Sequence, residues 1–294
     1  MKITRMFCVL AVCLGVLTSA SFAADHPLNQ PLGLAVDASG NLYVANHNAN
    51  NILIYNSSYV QQTSETITSG IDVPTGLAID ASGNLWVANY GASNGGSEGS
   101  ITEYAAGVMQ SSNTITNGVV GPQNMVFDEL GDLWVNNNGG SLTAYVTAGT
   151  FGPPATLQQT IPISDFWAVG EGVGVLFIGT STGNCQYSTT QFLFSGAGTC
   201  FFLGDAATAF ARDNTGGVFV QTTTPGFNVV YFFPNSPDAF TFESSLPFTP
   251  AFNESGMAVD NIHHRLYVSN RAGNKILVYG LASSNYGKLI HTIR

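Results

Sequence analysis

Charge is what this sequence has least of. Only 9% of its 294 residues are Asp, Glu, Lys or Arg, where an ordinary globular domain carries about 25%. The shortage is one-sided. Eight basic residues stand against 18 acids, and no Lys or Arg occurs between Arg5 and Arg212. Neutralising phosphates takes clustered cations, so the gap excludes a nucleic-acid platform over most of the chain. It also excludes a basic membrane-binding face. Disorder is excluded by the other side of the composition, since 45% of the residues are hydrophobic. Helical periodicity is missing beyond the first two dozen residues, and no later segment offers the 18 consecutive apolar residues of a membrane span.

Those first residues have a character of their own. Lys2 and Arg5 precede an apolar run from Met6 to about Leu17, followed by the small residues Ser19-Ala20-Ser21-Phe22-Ala23-Ala24. This is the layout of a secretory signal peptide with cleavage after Ala23 or Ala24. It predicts a signal at 1–24, a folded unit at 25–294, and a secreted or periplasmic protein without a membrane span in the mature chain. Cysteine, with four residues in all, fits export. Cys8 and Cys13 leave with the signal, and Cys185 and Cys200 remain in short strand-like runs joined by a loop. A disulfide between them is the expectation for an oxidising compartment, with two separate buried thiols as the alternative. Two Cys with no His nearby do not make a zinc site.

What the chain has in quantity is a repeat. Gly33-Leu34-Ala35-Val36-Asp37-Ala38-Ser39-Gly40-Asn41-Leu42-Tyr43-Val44-Ala45-Asn46 returns almost intact at Gly76 to Asn89 and again at Asn124 to Asn137. A further copy runs from Gly256 to Asn270, and two weaker ones start near Trp167 and Ala209. Taking Asp37, Asp80, Asp128, Glu171, Asp213 and Asp260 as equivalent acids gives spacings of 43, 48, 43, 42 and 47 residues. Tyr55, Tyr104, Tyr145, Tyr187, Tyr231 and Tyr279 close a following strand-like run in each copy. Every unit holds four strand candidates separated by Gly, Asn, Ser and Pro. A period of about 40–45 residues with four strands is that of a β-propeller blade. The reading is therefore all-β: one six-bladed β-propeller of four-stranded antiparallel blades. The run Lys288 to Ile293 is expected to supply the outermost strand of the last blade. Each Asp-x-x-Gly acid is expected to accept N–H groups across a turn, and each Tyr to pack between blades.

The repeated Gly-x-Ala-x-Asp-x-x-Gly-x-Leu-Tyr/Trp-Val-Ala-Asn resembles the NHL-type repeat of six-bladed propellers over nearly all of the chain after the signal. The resemblance implies the architecture and leaves the activity open, because such propellers include lyases, lactonases and pure binding modules. The lactonase pattern implies metal ligands just before the innermost strands. The corresponding positions here are Leu32, Thr75, Gln123, Phe166, Thr208 and Ser255, with no carboxylate among them. Amidating lyases of this repeat type imply histidines on several blades, and here only His47 reaches the channel mouth.

Ligands of propellers meet the mouth of the central channel, so the candidate binding residues are those the repeat brings there. After the second strand come Asn46 and His47, Asn89 and Tyr90, Asn136 and Asn137, and Asn270 and Arg271. Asn offers both a donor and an acceptor, although it also tolerates the left-handed turn geometry. Trp167, and the carboxylates Asp165 and Glu254 that replace Pro31, Pro74 and Pro122 before the inner strand, complete the set. The glycine-rich stretch from Tyr90 to Gly99 is either a recognition loop or a tolerated excursion. No nucleophile elbow, Walker loop or His-Glu-x-x-His occurs. The leading expectation is a monomeric, non-catalytic binding or scaffold module without metal or cofactor, its partner a protein, a glycan or a small molecule. The alternative is a divergent lactonase or lyase using His47, Asp165 or Glu254.

Overall fold

The computed structural model describes residues 27–91, 98–138, 140–147, 156–163, 166–172, 175–180, 183–188, 199–201, 207–222, 230–233, 244–246 and 256–294. Among these, the strands form six antiparallel sheets, one per sequence repeat, each built from neighbouring strands in chain order. Blade 1 contains Pro31–Val36, Leu42–Asn46 and Asn51–Tyr55, and blade 2 contains Pro74–Ile79, Leu85–Asn89, Ser100–Ala105 and Val108–Ile115. Blade 3 contains Pro122–Phe127, Asp132–Asn137, Ser141–Val146 and Thr156–Pro162. Blade 4 contains Phe166–Gly172, Val175–Thr180, Gly183–Ser188 and Thr199–Phe201. Blade 5 contains Ala207–Arg212, Val218–Thr222, Val230–Phe233 and Ser244–Leu246. Blade 6 contains Met257–Asp260, Arg265–Asn270, Lys275–Gly280 and Leu289–Ile293. The first strand of each blade is the innermost. These six pack side by side in chain order, and the first lies against both the second and the last, which closes the ring.

Blade 1 departs from the expected four strands. Its outer strand shrinks to two isolated bridges, Tyr55 with Gln61 and Ile52 with Ile67, because the chain between them, from Thr63 to Glu65, turns into a short 3-10 helix instead of extending. At the other end of the chain, Leu289–Ile293 is the outermost strand of blade 6, as the sequence suggests. The seam between first and last blades is tied by side chains. His291 stacks on Tyr59 at 4.2 Å between ring centres, Arg265 sits 4.7 Å above the same tyrosine, and its guanidinium donates to the Ser57 carbonyl at 2.6 Å.

The apolar core lies between blades. Successive strand residues point to opposite faces, and here both faces are covered. Leu85 and Val87 pack with Ala45 and Ile52 of blade 1, while Trp86 and Ala88 pack with Met125 and Leu133 of blade 3. This is why Leu85-Trp86-Val87-Ala88 is apolar throughout and does not alternate. The remaining clusters likewise each join two neighbouring blades, and the one holding Leu34, Val44, Ala258 and Ile276 joins the last to the first.

The lower ends of blades 1, 2, 3, 5 and 6 are polar turns. Asp37 Oδ1 accepts from the N–H groups of Ser39 and Asn41, Asp80 from Ser82 and Asn84, Asp128 from Leu130 and Asp132, and Asp213 from Thr215 and Gly217, all at 2.8–3.0 Å. Asp260 serves Ile262 and His263 in the same way. Glu171 does not belong to this set. The hairpin of blade 4 is tighter, with Gly172 opposite Val175, and Glu171 stands one position earlier, on the wall of the channel. The tyrosines act as expected where they are described. Tyr104 and Tyr145 are fully buried, and their hydroxyls donate to Ser69 O and Asn117 O at 2.7 and 2.8 Å, in the links that enter blades 2 and 3. Burial pushes the Tyr145 hydroxyl up to about 12. Cys185 and Cys200 are register partners on adjacent antiparallel strands of blade 4.

Inner strands approach closely where the repeat has glycine. A Cβ on Gly256 would lie 2.3 Å from Leu32 O, and one on Gly33 would lie 2.6 Å from Thr75 O. Gly256→Ala is therefore expected to force the first and last blades apart and to destabilise the protein by about 1–3 kcal/mol. Urea unfolding monitored by tryptophan fluorescence would measure this.

Candidate functional site

The inner strands enclose an axial cavity of about 290 Å³. Its wall is apolar or glycine except for Asn124, Glu171 and Arg212. The upper mouth is where inner strands begin and second strands end, so Pro31 pairs with Asn46, Pro74 with Asn89 and Pro122 with Asn137. Asn137, not Asn136, is thus the equivalent of the first two asparagines.

These asparagines are turned inward. Asn46, Asn89, Asn137 and Asn270 are between 0% and 6% exposed, and their amides lace the chain to itself. Asn46 Oδ1 accepts from Asn29 N at 2.6 Å, and its Nδ2 donates to Pro27 O and Asn51 Oδ1. Asn89 accepts from Asp72 N and donates to Gly70 O and Thr102 Oγ1. Asn137 accepts from Val120 N and donates to Thr143 Oγ1, and Asn270 accepts from Gly273 N. In blades 1 to 3 the Asn is a clasp between the second strand and the link that enters its own blade. Asn136 occupies the register of Ala45 and Ala88, is fully buried, and has no partner for either amide atom. The side chains that reach solvent at this mouth lie one residue further on.

There the rim is built from His47, Tyr90, Asn138 and Arg271, with Gln123 from an inner strand. Gln123 Nε2 donates to Asn138 Oδ1 at 3.3 Å, and Asn138 Nδ2 donates to the Tyr90 hydroxyl at 2.8 Å. This chain of polar groups is exposed and bridges blades 2 and 3. His47 is half-buried with Nδ1 3.1 Å from Pro74 O. Only a protonated Nδ1 bonds a carbonyl, so in the neutral ring Nε2 carries the lone pair. Burial pushes the imidazole below its ordinary value, the Pro74 carbonyl opposes this, and the positive charge of Arg271 pushes the same way as burial. His47 is accordingly neutral at pH 7. Arg271 donates from Nε to Gln30 Oε1 at 2.9 Å, which ties blade 6 to the segment that enters blade 1. Trp167 is the second residue of the inner strand of blade 4 but its side chain lies outside the described residues, as do Asp165, Glu254 and the centre of the glycine-rich loop at 92–97. In the sequence Asn138 stood only as the residue after the asparagine positions, and Gln123 only as a counterpart of the lactonase ligand positions. What marks them is the register that buries the residue before Asn138.

The lower end of the cavity carries the charge. Arg212 donates to Glu171 at 2.5 Å and to Glu129 at 3.2 Å, joining blades 3, 4 and 5. Burial pushes the Glu171 carboxyl up to about 7 against the pull of Arg212. Among the described residues, no group of three or more His, Cys, Asp or Glu is placed to hold a metal ion, and no helix is long and apolar enough to cross a membrane.

Residues 28–55 match the NHL repeat family. No curated protein matches the sequence. Among solved structures the chain is similar to virginiamycin B lyase from Staphylococcus aureus, at 15% identity and a TM-score of 0.56 over 87% of this chain and 82% of that one. It is similar to a gluconolactonase from Xanthomonas campestris at 14% identity and a TM-score of 0.58, over 83% of this chain and 84% of that one. It is also similar to a chain of the mitotic checkpoint complex, at 10% identity and a TM-score of 0.58 over 92% and 95%. Identities this low establish the β-propeller fold, with NHL-type repeat sequence in the first blade.

Two substitutions separate clasp from rim. Asn89→Ala removes both a donor and an acceptor from a buried site and is expected to cost about 1–3 kcal/mol, whereas Asn138→Ala on the surface is expected to change stability by less than about 0.5 kcal/mol. Chemical denaturation of the two variants checks both.

Proposed function

We propose that the protein is an exported binding module without catalytic activity, and that its upper rim holds a neutral, hydroxyl- or amide-rich ligand such as an oligosaccharide. The observation that carries this reading is the exposed chain Gln123–Asn138–Tyr90 across two blades. It presents alternating donors and acceptors beside the neutral imidazole of His47. Groups of this kind reward a ligand that can both donate and accept, and they offer little to a polyanion. The charge-poor composition and the N-terminal segment at 1–24 support an extracellular or periplasmic setting. In that setting we propose a disulfide between Cys185 and Cys200, for which the antiparallel register supplies the pairing.

The test uses the protein purified from an oxidising compartment. An array of neutral oligosaccharides is expected to retain it, and Asn138→Ala and Tyr90→Phe are each expected to weaken that retention about tenfold, the value of one hydrogen bond. Absence of retention, or retention unchanged in both variants, overturns the rim assignment. Intact-mass measurement is expected to fall two hydrogens short of the fully reduced chain, and a full thiol count would remove the disulfide.

A second reading is favoured by one observation, the Nδ1–carbonyl bond that leaves the His47 Nε2 lone pair as a base. On that reading the protein is a divergent lyase or lactonase. Turnover of virginiamycin B or of a lactone panel, lost in His47→Ala, would establish it in place of the binding module.

A further inference from the structure

The lower turn of blade 3 breaks a rule that blades 1 and 2 keep. In blade 1, Asn41 Nδ2 donates to Asp37 Oδ2 at 2.8 Å. In blade 2, Asn84 Nδ2 donates to Asp80 Oδ2 at 3.1 Å. The same position in blade 3 is Asp132, so a carboxyl stands where an amide should donate to Asp128. Asp132 is 4% exposed, and its Oδ2 is buried without a hydrogen-bond partner. Asp128 is itself 7% exposed. Its Oδ1 accepts from Leu130 N and Asp132 N, and its Oδ2 accepts from Trp134 Nε1 at 2.8 Å.

Asp132 and Asp128 are both buried and the charge of one bears on the other, so the two cannot both stay ionised without a countercharge. None is at hand. The chain has no Lys or Arg between Arg5 and Arg212. Arg212, which reaches the blade 3 turn through Glu129, is also bonded to Glu171 of blade 4, and Arg265 at the same end is held at the seam of blades 6 and 1 by the Ser57 carbonyl and Tyr59. Of the groups around the turn, Glu171 feels the charge of Asp128 and Glu129, while Asp132 feels that of Asp128 alone. A calcium ion would need six or more oxygens, and the indole N–H directed at Asp128 Oδ2 is a donor where such an ion would need an acceptor.

We propose that Asp132 is a proton-binding site: in the folded protein it carries a proton and donates it to Asp128, so that an O–H takes the place of the amide N–H of Asn41 and Asn84. The two carboxyls share one proton, and the fold is most stable in a mildly acidic medium. Burial, then the charge of Asp128, push the Asp132 carboxyl up to about 6, from about 3.9 in the unfolded chain. A raised carboxyl value means that the folded state holds the proton more tightly. Its contribution is complete below about pH 4 and is lost as the pH rises through about 6.

Asp132→Asn restores the amide of blades 1 and 2 and isolates the effect. At pH 7.5 the variant is expected to melt about 5 °C above the parent, and at pH 4 the gap is expected to close. An equal gap at both pH values, or a variant less stable at pH 7.5, overturns the proposal. Infrared difference spectra of parent minus variant at pH 5 are expected to contain the carbonyl stretch of a protonated carboxyl that disappears by pH 7.5. A spectrum with only carboxylate bands overturns it independently of stability. Should added calcium raise the melting temperature of the parent but not of Asp132→Asn, the site holds a cation and not a proton.

Discussion

Everything in this molecule is arranged around the convergence of six inner strands on one axis. Strands that close a ring must approach their neighbours backbone to backbone. At the blade 1 to blade 2 and the blade 6 to blade 1 junctions the approach leaves no room for a side chain, as the 2.6 Å and 2.3 Å distances at Gly33 and Gly256 express. Once the inner strands are fixed, both faces of the middle strands are covered by the next blades. The apolar core then has to be distributed over the interfaces between blades, because no single interior exists to hold it. Blade 4 meets the same constraint differently, with Gly170 against the Phe210 side chain.

The second organising fact is how little charge is used and how much of the polar inventory is turned inward. Aspartates at the lower turns satisfy backbone N–H groups that the hairpins would otherwise leave unpaired. Asparagines at the upper ends of blades 1 to 3 do the same for the links between blades. A buried amide that bonds two backbone groups is worth far more to the fold than to a ligand, since removing it strands the groups it served. The exposed rim is therefore made of the residues that follow these clasps. At the lower end one guanidinium serves two carboxylates from two other blades. The other turn acids are served by backbone N–H groups and by neutral side chains such as Asn41, Asn84 and Trp86.

Legibility in the sequence followed from how local each feature is. The repeat of Gly, Asp, Gly and Asn was readable because each residue answers to a constraint within its own hairpin, and the same hairpin recurs. Glu171 was misread as a turn acid because spacing alone does not reveal that the hairpin of blade 4 is shorter, which moves the glutamate onto the channel wall. Blade 1 was expected to have four strands, and one of them reduces to two isolated bridges. The asparagines were read as a contact surface because their chemistry suits one. Burial, which comes from packing against links 17 to 19 residues away, decided otherwise.

The sequence by itself determined the period, the strands and the turns, because apolar, β-branched and aromatic runs and glycine punctuation act over a few residues. It thereby determined the propeller. Only the tertiary structure decided which polar groups are spent and which are offered. That depends on register across strands and on distances between blades. A shift of one residue along the second strand separates Asn137, sealed in a clasp, from Asn138, open at the rim.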